Sequence, residues 1–154
     1  MKNVVLTVFV VCFAMLRPIA GFSEEAKPAA AEVPKIQIAI LLDTSNSMDG
    51  LIAQAKAQLW EIVNDFIHVK QNGVTPTLEV ALYQYGNDNL DRKDYWIELL
   101  THFTTDLDLV SQKLFSLKTN GGDEYCGAVI RQAVKELEWS DRRDDFRLIF
   151  IAGN

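Results

Sequence analysis

Two nearly unbroken apolar runs constrain this chain more than any other feature: Ile36 to Leu42 (IQIAILL) and Phe146 to Ala152 (FRLIFIA). A strand with one wet face alternates apolar and polar residues, whereas a continuous run predicts a strand covered on both faces. Such strands belong mainly to parallel sheets with helices above and below. The intervening sequence supplies helices. Leu51, Ala55, Leu59, Ile62 and Phe66 define one helical stripe, with Ser47 as N-cap and Asp49 in the first turn. Asn72-Gly73 and Pro76 then break the chain. Thr77 to Tyr85 reads as a strand with Leu78, Val80 and Leu82 on one face. Tyr95 to Phe103 reads as another, close enough in sequence to be its antiparallel partner. Thr104 or Thr105 caps a helix carrying Leu107, Val110, Leu114 and Leu117. After the Asn120-Gly121-Gly122 turn, Asp123 opens a helix with Cys126, Ile130, Ala133 and Leu137 facing inward. The predicted class is α/β: an open, doubly wound, mostly parallel sheet with one antiparallel edge strand.

The chain has 154 residues, enough for one ordinary domain. Its hydrophobic fraction of 49% and charged fraction of 23% are those of a folded protein rather than a disordered one. A net charge of −6, without a Lys/Arg cluster, argues against a nucleic-acid partner. Residues 1–23 read as a signal peptide. Lys2 precedes an apolar core from Val4 to Leu16, too short for a spanning helix of roughly 20 residues. Gly21 and Ser23 suit a cut before Glu24. Cleavage there removes Lys2 and Arg17 from the 15 basic residues and none of the 21 acidic ones, moving the charge from −6 to −8. It also removes Cys12, so Cys126 alone remains and no internal disulfide can form. Residues 24–34 (EEAKPAAAEVP) read as a Pro/Ala/Glu linker, and residues 35–154 as the domain. The expected location is therefore periplasmic or extracellular, with no stable membrane span in the mature chain.

In an open α/β sheet, ligands bind beyond the carboxyl ends of the strands. The first apolar run ends there in Asp43-Thr44-Ser45-Asn46-Ser47. Asp43, Ser45 and Ser47 alternate, so their side chains can converge on one side of the loop. A carboxylate and two hydroxyls form a hard-oxygen set suited to Mg²⁺, Mn²⁺ or Ca²⁺ rather than Zn²⁺. The same residues also suit a plain strand-to-helix turn with Asp and Ser capping the helix. Spacing alone leaves both readings open.

The segment IAILLDTSNSM resembles the first strand and D-x-S-x-S loop of von Willebrand factor A domains. VALYQYGN is similar to that family's second strand, FTTDLDLVSQKLFSLKTNGGDE to its stretch entering the second metal loop, and FRLIFIAGN to its fourth strand. The resemblance implies an open sheet of order 3-2-1-4-5-6 with a metal-ion-dependent adhesion site. It implies Asp43, Ser45 and Ser47 as first-loop ligands for Mg²⁺ or Mn²⁺, with Ca²⁺ a third candidate. The family's second loop usually offers a Thr after Gly-Gly; here Asp123 stands in that place, followed by Glu124, and is the fourth expected ligand or a helix cap. The family's fourth strand often ends in Thr-Asp-Gly, and here Ala152-Gly153-Asn154 replaces it, removing an outer carboxylate. The fifth and sixth strands have no counterpart, so the domain is expected to be incomplete, with Phe146 to Ala152 left as an aggregation-prone edge.

The expected function is an exported, non-enzymatic binding module that engages an acidic side chain of a protein partner through its metal. The alternative is a cell-envelope scaffold domain with a degenerate metal site, and an enzyme is third. LLDTS is also similar to the aspartic-protease loop, but a helix follows it and no second such loop exists. A haloacid dehalogenase-type nucleophile needs a second Asp where Ser45 stands. A Ser-His hydrolase needs His68 or His102 at the serines, yet His68 lies about 30 Å along the first helix. Tyr83, Tyr85, Trp96 and Trp139 are expected to pack in the core or on the sheet.

Overall fold

The first apolar run becomes β1 (Lys35–Asp43), in which every residue after Lys35 is buried. The computed structural model describes residues 33–153, which belong to one unit, Glu32–Asn154. The expected signal peptide, nearly all of the expected linker, and Asn154 lie outside the described residues. After β1 come α1 (Ile52–Ile67), β2 (Thr77–Tyr85), β3 (Ile97–Thr104), α2 (Leu107–Ser116), α3 (Cys126–Glu136) and β4 (Phe146–Ala152). The sheet order is β3-β2-β1-β4. β1 runs parallel to both β2 and β4, and β3 pairs antiparallel to β2. This is the expected α/β class, with one antiparallel edge.

Strand alternation divides the core in two. Ile36, Ile38, Ile40 and Leu42 of β1 pack with Val80 and Leu82 of β2 against Leu59 and Val63 of α1 and Val110 and Leu114 of α2. On the other face Ala39, Leu41, Ala81, Tyr83 and Tyr85 meet Val129 and Ala133 of α3. Each fully buried Ile or Leu contributes about 1.5–3 kcal/mol of transfer free energy, so β1 anchors both layers.

The helix faces differ from the sequence reading by one or two residues. Leu51 is 48% exposed, and Val63 rather than Ile62 is fully buried. Lys56 is also buried, its ammonium donating to the Leu117 carbonyl at 2.9 Å and the Phe115 carbonyl at 3.3 Å, which ties α1 to α2. Ser47 does not cap α1, since a 3-10 turn (Asn46–Met48) intervenes and the cap position is Leu51. Asp106, not a threonine, caps α2, accepting from the Leu109 amide at 3.0 Å. On α3, Cys126 and Ile130 are exposed, and Val129, Ala133 and the following Leu137 face inward. Asp123 does not open that helix, which starts three residues later.

β4 lies at the edge of the sheet, as the sequence reading expects, and among the described residues its outer side is open. Phe146 is 54% exposed and Ile151 40% exposed. The strand pairs with β1 on one side, and among the described residues no strand pairs with the other. Its apolar character is therefore only partly satisfied.

Candidate metal centre

β1, β2 and β4 end at one rim, so the loops leaving them meet there. Asp43 closes β1 at 1% exposure, and Thr44 and Ser45 beside it are buried. The Asp43 Oδ1 accepts the Ser45 amide at 2.8 Å, which turns the chain sharply after the strand. That turn sets the Ser45 and Ser47 hydroxyls 2.7 Å apart. The sequence pattern Asp-x-Ser-x-Ser is thus converted into one cluster of oxygens. Thr44 locks the loop to β2: its amide and its hydroxyl both donate to the Tyr85 carbonyl, at 2.9 and 3.2 Å.

The fourth residue comes from 77 positions further on. Ser47 Oγ donates to Glu124 Oε1 at 3.1 Å. Asp123 is exposed, and among the described residues it makes no hydrogen bond. Asp43, Ser45 and Ser47 therefore assemble together, while Glu124 rather than Asp123 is hydrogen-bonded to them. Two glycines determine this approach. Gly122 has φ +151°, and a Cβ there would sit 2.3 Å from the Gly86 carbonyl oxygen. Gly86 has φ +75°, and its Cβ would lie 3.0 Å from Asp43 Oδ1 and 3.2 Å from the Glu124 side chain. Only bare backbone lets the two loops close on the site.

Asn87 was missed by sequence reasoning. It is 4% exposed, and its amide donates to the carbonyls of Thr44 at 3.3 Å and Lys118 at 3.0 Å. It thereby holds the β1 exit and the loop before Gly121 together, and the Asn120 amide adds a bond to the Thr44 carbonyl at 3.0 Å. The available signal was topological. If β2 is parallel to β1, the residues just after Tyr85 must lie at the same rim.

Burial raises the Asp43 carboxyl above its ordinary value; the Ser45 amide and hydroxyl oppose this, and the nearby Glu124 charge adds to it. Tyr85, buried against Asp43 with Cys126 and Glu124 nearby, is pushed strongly upward and stays a neutral phenol. Asp43 Oδ2 is buried with no hydrogen-bond partner. A buried carboxylate oxygen without a donor is costly, and a cation is one way to relieve it. Among the described residues no three His, Cys, Asp or Glu side chains cluster to hold a metal. The candidate donor set is instead hydroxyl and carboxylate oxygen, chemistry that fits a small divalent cation with retained waters.

The expected packing roles hold for three of the aromatics. Tyr83 and Tyr85 are buried, and Trp139 meets Phe103 edge-on at 4.7 Å. Trp96 instead stacks on the half-exposed Tyr125 at 5.7 Å. His68 follows α1 at the end remote from the serines, and His102 is exposed on β3.

No protein-family model matches the chain, and no curated protein matches it. Solved structures do. The pilus adhesin SpaC from Lactobacillus rhamnosus GG, in an open conformation, is 14% identical over 78% of this chain, with a TM-score of 0.58. Proximal thread matrix protein 1 from the mussel byssus, with a zinc-occupied MIDAS motif, is 13% identical over 79%, with a TM-score of 0.53. The vWF domain of the type V pili tip protein Mfa5 from Porphyromonas gingivalis is 18% identical over 76%, at 0.46. The chain spans 14%, 29% and 37% of those chains, respectively. At these identities the likeness is one of fold alone, an open α/β sheet shared with the pilus adhesin and with the MIDAS-bearing byssus protein.

Proposed function

We propose that this chain is a metal-dependent binding module that engages an acidic side chain of a protein partner at the rim of β1. One observation carries the reading: the buried, partnerless Asp43 Oδ2 beside the joined hydroxyls of Ser45 and Ser47. Asp43, Ser45 and Ser47 would hold the cation, with a carboxylate from the 123–124 loop. Glu124 is the better placed of the two through its bond to Ser47, and Asp123 remains the alternative. Mg²⁺ or Mn²⁺ suits the oxygen set, and Ca²⁺ is a third candidate. The zinc-occupied MIDAS motif of the byssus protein supports a divalent cation at such a rim and makes Zn²⁺ worth testing. A metal held by so few protein oxygens keeps positions open, and a partner's carboxylate would fill one.

Export fits the sequence of residues 1–23, and the adhesin neighbours support a periplasmic or extracellular site of action. Among the described residues no helix is long and apolar enough to cross a membrane. A non-catalytic role is supported by the placement of the imidazoles. His68 lies beyond the length of α1, roughly 24 Å from the serines at 1.5 Å per residue. His102 lies five residues from the rim end of β3, about 16 Å.

The second reading, a scaffold domain with a degenerate site, is favoured by the end of β4. Ala152 pairs with Leu42, and Gly153 lies so close to Asp43 that a Cβ would be 3.1 Å from the Asp43 Cβ. The strand reaches the site without bringing a carboxylate to it. Thermal melting and calorimetry with Mg²⁺, Mn²⁺ and Zn²⁺ decide between the readings. Saturating metal is expected to raise the melting temperature, with about 2.7 kcal/mol gained at one hundred times the dissociation constant. No shift and no heat with any of the three ions would leave the scaffold reading.

A further inference from the structure

A second cluster lies beside this rim, and the metal centre does not use it. The turn between β2 and β3 ends in two bulky residues in the left-handed region, Tyr95 at φ 56° and Trp96 at φ 52°. Aromatic side chains rarely adopt that backbone, and it persists only where the surroundings hold it. Here it sets Tyr95 edge-on to Tyr125, with centroids 5.6 Å apart, and lays Trp96 flat on Tyr125 with planes 6° apart. Arg92 covers Trp96 at 5.7 Å. Tyr95 and Tyr125 nevertheless remain 49% and 40% exposed. Tyr125 directly follows Glu124, so this wall is continuous with the Ser47–Glu124 bond.

Tyr95 also borders a pocket of about 310 Å³ between the turn and α3, lined by Lys93, Arg131 and Lys135 and by Asp94 and Glu136. Arg131 and Lys135 stand four residues apart and share a helix face, where like charges weaken a helix rather than support it. Among the described residues none of the three cations is in an ion pair. Glu136 is engaged by the Gln132 amide at 2.9 Å. Three unpaired cations around one pocket run against a chain whose net charge is −6.

We propose that this pocket and its aromatic wall dock an acidic peptide segment of a protein partner, the segment flanking the carboxylate offered to the metal. The proposal rests on the metal reading. Peptide carboxylates pair with Lys93, Arg131 and Lys135, and the exposed tyrosine faces pack against the peptide between them. Tyrosine, tryptophan and arginine are the side chains that dominate interface energetics. Unpaired cations steer an acidic partner and make its binding salt-sensitive.

The test uses the full chain and a fluorescein-labelled octaglutamate peptide, with octalysine as control, followed by fluorescence anisotropy with and without Mg²⁺. Octaglutamate is expected to bind and octalysine not to, with affinity falling as salt rises. The double substitution Arg131→Glu with Lys135→Glu is expected to weaken binding about tenfold or more, a change of about 1.4 kcal/mol. Tyr125→Ala is expected to weaken it as well. Both basic residues are exposed, so the fold should survive; Arg131→Gln with Lys135→Gln replaces the double reversal if melting shows otherwise. The Mg²⁺ response in melting temperature is read on the same samples. A retained Mg²⁺ response with octaglutamate binding absent, or unchanged by the double substitution, overturns the docking proposal and leaves the metal reading standing. An absent Mg²⁺ response with pocket-dependent peptide binding overturns the metal reading and with it the assignment of the peptide as the segment flanking a metal-bound carboxylate, and leaves only an acidic-peptide pocket.

Discussion

Replacing Asp43 by Asn should stabilise the metal-free protein and abolish its response to metal. Asp43 is 1% exposed, and one of its oxygens accepts the Ser45 amide at 2.8 Å. The other oxygen has no partner, and the Glu124 charge lies nearby. An unsatisfied buried acceptor costs about 1–3 kcal/mol, and more when charged. Asn has the same shape, keeps the acceptor for Ser45, and removes both the buried charge and its repulsion by Glu124. Its amide NH₂ is itself a new buried donor, which returns part of the gain. A net stabilisation of about 1 kcal/mol remains, which for a domain of this size raises the melting temperature by roughly 3–6 °C. With saturating Mg²⁺ the order should invert. The natural chain gains about 2.7 kcal/mol at one hundred times its dissociation constant, and the Asn variant gains little. Scanning calorimetry of both proteins, in chelator and in excess Mg²⁺, measures all four states. An Asn variant that melts below the natural chain in chelator would show that the orphan oxygen is not costly. Equal Mg²⁺ shifts in the two proteins would remove Asp43 from the metal centre.

Three further outcomes follow from the same geometry. Glu124→Ala should lower Mg²⁺ affinity about tenfold or more, equivalent to about 1.4 kcal/mol, and Asp123→Ala should lower it less; isothermal titration calorimetry compares them, and the opposite order would return the ligand role to Asp123. Asn87→Ala strips a donor from the Thr44 and Lys118 carbonyls and should cost about 2–3 kcal/mol in denaturant melts together with a loss of Mg²⁺ affinity; a stable variant with unchanged affinity would show that the rim does not depend on it. At Asp145 burial opposes ionisation, but the Ser140 hydroxyl, the Lys35 amide and the charges of Arg142 and Lys35 outweigh it and hold the carboxyl below its ordinary 3.8. Its stabilisation is therefore present above that value and lost as pH falls through the lower folded value. Asp145→Asn should flatten the decline in melting temperature over that acidic window, and an unchanged acid profile would count against the reading.

The sequence by itself determined the strands and the first half of the site. The apolar runs located β4 to the residue and β1 to within one residue at each end, and alternation located β2 to the residue. β3 starts two residues later than the reading Tyr95 to Phe103, because Tyr95 and Trp96 belong to the left-handed turn before it. Asp43, Ser45 and Ser47 are neighbours in the chain, so a single local turn brings them together whatever happens elsewhere. Helix faces were legible only approximately. Ile62 and Val63 are adjacent and equally apolar, and choosing between them requires knowing where α2 and the sheet lie; the burial of Lys56 likewise depends on carbonyls that α2 exposes at its far end. β4 shows the limit of reading burial from composition, since apolar residues state a need for cover and only neighbouring elements can supply it. The second half of the site was a tertiary decision. Asp123 and Glu124 differ by one position in a loop 77 residues from Ser47, and the backbone contact between Gly86 and Gly122 sets which carboxylate reaches the hydroxyls. Asn87, Tyr95 and Trp96 acquire meaning only once parallel pairing of β1 and β2 brings their loop to the same rim, because the bonds and the left-handed backbone that define their roles join segments the sequence keeps apart.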